Sequence, residues 1–145
     1  SEEIWQVRRN VSSSLRKINP DKFNEDIVVP RSKVPDMISA LEGLSEKYKV
    51  PIVNFGHAGD GNIHVNIMVD LAEKGMQDTV NKVMDEVFRA ALRLEGSISG
   101  EHGIGTSKMK YLGMEIDSTT IGYMKRIKKA FDPNNILNPG KIFDL

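Results

Sequence analysis

The spacing of apolar residues switches along this chain between the helical and the extended period, and that alternation most constrains the fold. Steps of three and four residues predict one helix beginning near Ser32 and another from Met76 to Leu94, ended by Gly96. Short apolar or alternating runs predict strands at "EDIVVP", "VPIVNF", "NIHVNIMV" and residues 97–99. The resulting order, β-α-β-β-α-β, is the order of a ferredoxin-like α+β core.

Further helices are predicted on both sides of this core, which extends from about Ile27 to Ser99. Apolar residues at helical spacing predict an N-terminal helix over residues 4–18, ended by the Asn19-Pro20 pair. Two helical stretches follow the core, around residues 108–112 and 119–131. A chain of 145 residues with 39% hydrophobic content buries one core, so we expect residues 1–145 to form a single domain.

Composition excludes several classes of function. Lysine plus arginine total 20 and aspartate plus glutamate total 20, so no net charge favours nucleic acid or an anionic membrane as partner. The absence of cysteine excludes disulfides, iron–sulfur ligation and thiol nucleophiles, and fits a reducing compartment. We therefore expect a cytoplasmic protein without a transmembrane segment. The chain begins at Ser1 in mid-pattern, from which we expect it to be part of a longer polypeptide.

All three histidines lie in two glycine-rich segments, "GHAGDGNIHVN" and "SGEHGIG". If Asp60-Gly61 forms a two-residue turn, the hairpin pairs His57 with His64, with their Cβ atoms about 5 Å apart. Two neutral imidazoles at that separation can bind one divalent cation, and Glu101 is the natural added carboxylate. An exposed cross-strand pair beside ordinary turn residues explains the same spacing without any ligand, so both interpretations stay open.

Four motifs carry a resemblance to a known family: "NEDIVVPRSKVP", "NFGHAGDGNIHVN", "GSISGEHGIGTSKMKYL" and "FDPNNILNPGKIF". They resemble the C-terminal half of the FAD-linked oxidases of the vanillyl-alcohol oxidase superfamily. The most similar branch contains the glycolate oxidase flavin subunit, D-lactate dehydrogenase and D-2-hydroxyglutarate dehydrogenase. The resemblance implies oxidation of a D-2-hydroxy acid to a 2-oxo acid, with hydride transfer to FAD.

The resemblance also implies partners. In that family FAD is held mainly by an N-terminal domain, for which this chain has no motif, so we expect the isolated chain to be inactive. The implied partners are that FAD-binding domain, a small 2-hydroxy acid substrate, and an electron-accepting subunit that could attach the enzyme to the membrane periphery.

Matching positions imply roles for individual residues. A divalent metal such as Zn, Mn or Fe would be held by His57, His64 and Glu101, and His102 would accept the proton of the substrate hydroxyl. The remaining implied site residues are Arg8, Ser12 and Asn66 for the substrate, and Asn62 and Asn138 for the cofactor. Because neighbouring side chains in an extended segment point to opposite sides, we expect Glu101 to face the hairpin histidines and His102 to face the flavin.

Two functions from other classes remain open. The chain could be a stand-alone metal-binding regulatory module of ferredoxin-like fold, in which case metal binding survives without any flavin domain. It could also be a purely structural cap whose polar row contacts only water. An upstream coding region that continues into a flavin-binding domain would favour the oxidase over both.

Overall fold

The computed structural model describes residues 5–6 and 19–145. Apart from Trp5 and Gln6, the predicted N-terminal helix lies outside the described residues, and so do Arg8 and Ser12.

The described part of the chain is built on one antiparallel sheet. Strand β1 (Asp21–Val28) leads into helix α1 (Val34–Tyr48), and strands β2 (Ile52–His57) and β3 (Asn62–Val69) precede helix α2 (Met76–Arg93). The strand order is β1-β3-β2, and both outer strands are antiparallel to β3. The predicted α+β class and the antiparallel pairing of the second and third strands are confirmed.

The central strand β3 is buried along its whole length, and its two faces differ. One face carries Ile63, Val65 and Ile67, which join the hydrophobic core with residues of α1 and α2 such as Leu41 and Phe88. The opposite face carries Asn62, His64, Asn66 and Met68, as the alternation of side chains along a strand requires. This second face positions the candidate site.

The hairpin between β2 and β3 has a different register from the predicted one. His57 pairs with Asn62, and His64 pairs with Phe55, so the predicted His57–His64 pair is wrong. A two-residue type I′ turn needs positive φ at both central residues, whereas Gly61 has a φ of 82° and Asp60 is not in that region. The loop therefore has four residues, 58–61. Relative to the prediction, the pairing of β2 with β3 is shifted by two positions, and a shift of two keeps both histidines on the same face of the sheet.

The predicted fourth strand is reduced to a single bridge between Val28 and Ser97 on the free edge of β1. The next carbonyl on that edge, that of Asp26, accepts a hydrogen bond from Lys108 Nζ at 2.7 Å. The N–H of Ser99 donates to Ser97 Oγ at 3.3 Å. Pairing stops after one residue because both groups that would extend it have other partners.

The C-terminal part contains a 3₁₀ turn (Met109–Tyr111), the short helix α3 (Leu112–Glu115) and helix α4 (Ser118–Phe131), in agreement with the two predicted helical stretches. Asp117 caps α4, since its carboxylate accepts the N–H groups of Thr119 and Thr120. In the part of the chain that the structure describes, no helix is long and apolar enough to cross a membrane.

Candidate functional site

Three predicted ligand residues meet on the polar face of the sheet. One ligand atom from each of His57, His64 and Glu101 lies within 4.8 Å of the others. The two imidazole rings are 5.7 Å apart between centroids and nearly perpendicular, and Glu101 Oε1 is 3.1 Å from His64 Nε2. Two imidazole nitrogens and one carboxylate oxygen are donors that suit a borderline divalent cation such as Zn²⁺. The residues present therefore fit a metal ion, although its binding stays a prediction.

The surroundings of His64 favour the neutral form of its imidazole. Burial is the largest influence and lowers the pKa of His64, and it outweighs the opposing effect of the Glu101 carboxylate. The Phe55 ring packs beside it, with 5.2 Å between centroids. A neutral imidazole is the form that binds a metal, so His64 is available as a ligand at neutral pH.

His102 lies beside this cluster. Its ring centroid is 5.5 Å from that of His64, Nδ1 is 3.4 Å from Asp26 Oδ1, and Nε2 is 3.6 Å from Glu101 Oε1. About half of the His102 side chain is exposed, which leaves it accessible to a bound molecule.

The expected opposite orientation of Glu101 and His102 is wrong, because both side chains lie near His64. The premise was an extended segment, and the backbone here is bent. The N–H groups of Glu101 and His102 both donate to Asp26 Oδ2, at 2.5 and 3.0 Å. Successive N–H groups of an extended strand point in opposite directions and could not share one acceptor atom.

Asp26 and Lys108 form a buried ion pair that sequence analysis did not find. Lys108 Nζ donates to Asp26 Oδ1 at 2.6 Å and lies 3.5 Å from Glu25 Oε2. Asp26 is fully buried and Lys108 is 2% exposed. Burial acts to raise the pKa of Asp26, but hydrogen bonds from Lys108 and from two backbone N–H groups outweigh it and hold that pKa well below its usual range. The signal in the sequence was two acidic residues inside the strand "EDIVV", where a buried charge requires a partner.

Gly100 allows the second glycine-rich segment to approach the sheet closely. A Cβ atom at this position would lie 2.4 Å from Asn62 Nδ2 and 3.2 Å from Asp26 Oδ2. Only glycine leaves room for both contacts, so this glycine brings Glu101 and His102 to the face that carries His64.

The predicted substrate and cofactor asparagines are in different surroundings. Asn62 and Asn66 share the face of His64, and each has a buried Oδ1 without a hydrogen-bond partner in the described part of the chain. Asn66 is fully buried and donates from Nδ2 to the Val53 carbonyl at 3.0 Å. Asn138 is exposed in a C-terminal turn and lines a groove along α4 with Ile127, so the structure does not bring it into the histidine cluster. The roles of all three stay predictions.

The fold and the site together define an α+β domain that presents two histidines and a carboxylate next to a further histidine. Residues 1–142 match the family described as FAD linked oxidases, C-terminal domain, and the chain belongs to that family.

Curated relatives agree with this assignment. The chain is 43% identical over 140 residues to glycolate oxidase subunit GlcD of Bacillus subtilis (strain 168), covering 97% of this chain and 30% of the relative. It is 41% identical over 141 residues to a D-lactate dehydrogenase of Anaerostipes hadrus, covering 97% and 30%. It is 40% identical over 149 residues to D-2-hydroxyglutarate dehydrogenase of Stutzerimonas stutzeri (strain A1501), covering 98% and 31%. The chain thus spans about a third of the length of these relatives.

Proposed function

We propose that this chain is the substrate- and metal-binding part of an FAD-dependent dehydrogenase that oxidises a D-2-hydroxy acid to a 2-oxo acid. The three relatives above are named for glycolate, D-lactate and D-2-hydroxyglutarate, which all carry a hydroxyl group on the carbon next to a carboxylate. FAD would be held mainly by a separate N-terminal domain and would accept the hydride that leaves C2 of the substrate.

The observation that carries this proposal is the convergence of three ligand atoms beside a fourth, accessible side chain. His57, His64 and Glu101 have the donor atoms for a divalent cation, and His102 adjoins them. A cation bound by these three residues would supply a Lewis acid that favours deprotonation of the substrate hydroxyl.

His102 would act as the general base. Its Nδ1 lies toward the Asp26 carboxylate, so Nε2 is the nitrogen available to accept the hydroxyl proton as hydride leaves C2. Its half-exposed side chain can be reached by a substrate, whereas the neighbouring His64 is buried.

The remaining site residues would bind and orient. Arg8 and Ser12 would hold the substrate carboxylate, because a guanidinium group can bind both oxygens of a carboxylate at once. Asn66 would line the substrate site, and Asn62 and Asn138 would contact the cofactor. The unpartnered buried Oδ1 atoms of Asn62 and Asn66 support polar roles on this face of the sheet.

The experiment is anaerobic addition of D-2-hydroxy acids to the full-length protein that the gene encodes, followed by the absorbance of its flavin. Glycolate, D-lactate and D-2-hydroxyglutarate are compared with the L enantiomers of the two chiral acids. We expect at least one of the acids to bleach the flavin, with the D form preferred where the acid is chiral. Binding of metal without bound flavin, or a flavin that none of the acids reduces, would contradict the proposal, and the first of these results would favour a regulatory metal-binding module.

A further inference from the structure

Asp26 lies between His64 on the sheet and the segment that carries Glu101 and His102. It is fully buried in β1 and lies directly opposite His64 in the pairing of β1 with β3. Its Oδ2 atom accepts the N–H groups of Glu101 and His102, at 2.5 and 3.0 Å. One rigid strand residue thereby fixes the backbone of both neighbouring site residues.

We propose that Asp26, held by Lys108, is a positioning residue that sets the places of Glu101 and His102 relative to His64. This role rests on the proposed function, in which Glu101 binds the metal and His102 is the base. Asp26 would act mainly through the backbone of these residues, with Oδ1 also 3.4 Å from His102 Nδ1, and would not itself touch the substrate.

The segment that carries the two site residues is irregular, although Gly100 lies close to Asn62 and Ile104 packs against the hydrophobic core. Residues 100–102 form bends, and in the described structure no helix or strand includes residues 99–104. Sites on such segments are placed less accurately than sites on strands, and a displacement of about 1 Å can slow a reaction by about 100-fold. A hydrogen bond from each of two successive N–H groups to one buried oxygen supplies a further restraint at the two site residues themselves.

Lys108 explains how a carboxylate can be buried in that position. Its Nζ donates to Oδ1 and to the main-chain carbonyl of Asp26, at 2.6 and 2.7 Å. Oδ1 is therefore turned toward Lys108, and Oδ2 is left facing the two backbone N–H groups. The cation both compensates the buried charge and selects the rotation of the carboxylate.

A purely structural ion pair would show the same contacts, but it predicts different properties for variants of Asp26 and Lys108. The distinguishing feature is the acceptor oxygen, which can be kept or removed after the charge pair is gone. Asp26→Asn with Lys108→Met keeps one oxygen that is free to accept both N–H groups. Asp26→Leu with Lys108→Met removes that oxygen while the loss of the lysine is the same in both double variants.

The test measures three properties of the full-length protein: the unfolding midpoint, the affinity of the metal-free form for added Zn²⁺, and the rate of flavin reduction by the preferred hydroxy acid. We expect the Asn/Met double variant to reduce its flavin within about tenfold of the wild-type rate. The Leu/Met variant should be slower than wild type by about 100-fold at saturating substrate, with KM changed by less than about threefold. Its affinity for Zn²⁺ should also fall, because Glu101 is no longer held near His64.

Asp117→Ala is the matched control. Asp117 also accepts two successive backbone N–H groups, at 2.8 and 3.0 Å, but it does so at the start of α4. This variant should lower the unfolding midpoint and leave the rate of flavin reduction and the Zn²⁺ affinity unchanged.

The positioning role would be overturned if the two double variants had equal rates and equal Zn²⁺ affinities, whether high or low. It would also be overturned if the rates of all variants simply followed their unfolding midpoints. His102→Ala, measured in parallel, separates this result from failure of the proposed function. If His102→Ala reduces its flavin at the wild-type rate, the proposed function fails. If His102→Ala is slow and the two double variants agree, only the role of Asp26 fails.

Discussion

Glu101 and His102 are neighbours in the chain, and the proposed mechanism gives them different tasks. Glu101→Gln replaces a charged ligand by a neutral amide, which binds a divalent cation less well. We expect this variant to lose metal and activity together. His102→Ala should keep nearly all of its metal and slow flavin reduction by roughly 10²- to 10⁴-fold, the usual effect of losing a general base. Metal analysis and stopped-flow absorbance of the full-length protein measure both quantities.

Glu73→Gln is the control for the first of these variants, since Glu73 is an exposed carboxylate in the loop before α2. It should have the metal content and rate of the wild type. Loss of metal in His102→Ala with retention in Glu101→Gln would reverse the two assignments.

At the scale of single elements, the β2–β3 hairpin depends on Gly61. Its φ of 82° is unfavourable for other residues, and a Cβ atom there would lie 2.0 Å from the Val29 carbonyl oxygen. We expect Gly61→Ala to lower the free energy of unfolding by about 2 kcal/mol or more. Gly59→Ala, in the same loop but with no atom near its Cβ position, should change it by less than about 0.5 kcal/mol. Urea unfolding of the two variants makes the comparison, and equal effects would contradict this description of the loop.

At the end of α4, the ionisation of Asp132 makes the stability of the protein depend on pH. Asp132 forms an ion pair with Lys128 and accepts the N–H groups of Ile136 and Leu137. The hydrogen bond from Lys128 is the largest influence and lowers the pKa of Asp132, although burial opposes it. The folded state therefore binds this proton less readily than the unfolded state. The stabilisation is complete above the unfolded-state pKa of about 4 and is lost as the pH falls toward the lower folded-state value.

The free energy of unfolding of Asp132→Asn should accordingly be lower than that of the wild type at neutral pH, and the difference should shrink below about pH 4. Denaturant unfolding at a series of pH values checks this. Lys128→Met should weaken this pH dependence without abolishing it, because the N–H groups of Ile136 and Leu137 still lower the pKa of Asp132. A difference that stays constant down to low pH would exclude ionisation of Asp132 as its cause.

The elements differ in how well sequence predicts them. Periodicity located α1, α2, β2 and β3 because each packs an apolar face or run against the core, only partly buried in β2, and such packing leaves a regular pattern. The hairpin register was wrong because it depends on which loop residue takes positive φ, and Asp60-Gly61 fits more than one turn. The shortened fourth strand could not be predicted. The Asp26 carbonyl, which would accept the next hydrogen bond of that strand, accepts one from Lys108 instead, and Lys108 is 82 residues away from Asp26.

At the scale of the whole molecule, the site likewise has some features that the sequence predicts and others that it does not. The sequence predicted that His57 and His64 share one face of the hairpin, which is a local feature, and the family resemblance added Glu101 from the second glycine-rich segment. It did not predict the buried Asp26–Lys108 pair, or that Glu101 and His102 lie on the same side. Both depend on contacts between segments that are distant in sequence, and a single sequence contains no direct signal for such contacts.

The account as a whole depends on a metal ion that acts together with His102 in the oxidation of a hydroxy acid. The most direct measurement is the rate of flavin reduction by the preferred D-2-hydroxy acid in the full-length protein, before and after chelation and again after Zn²⁺ or Mn²⁺ is restored. We predict a large loss of rate in protein shown to be metal-free, and recovery when the cation is added back. Flavin reduction at the full rate in the metal-free protein would contradict the account, and the two hairpin histidines would then have to act as hydrogen-bond donors to the substrate.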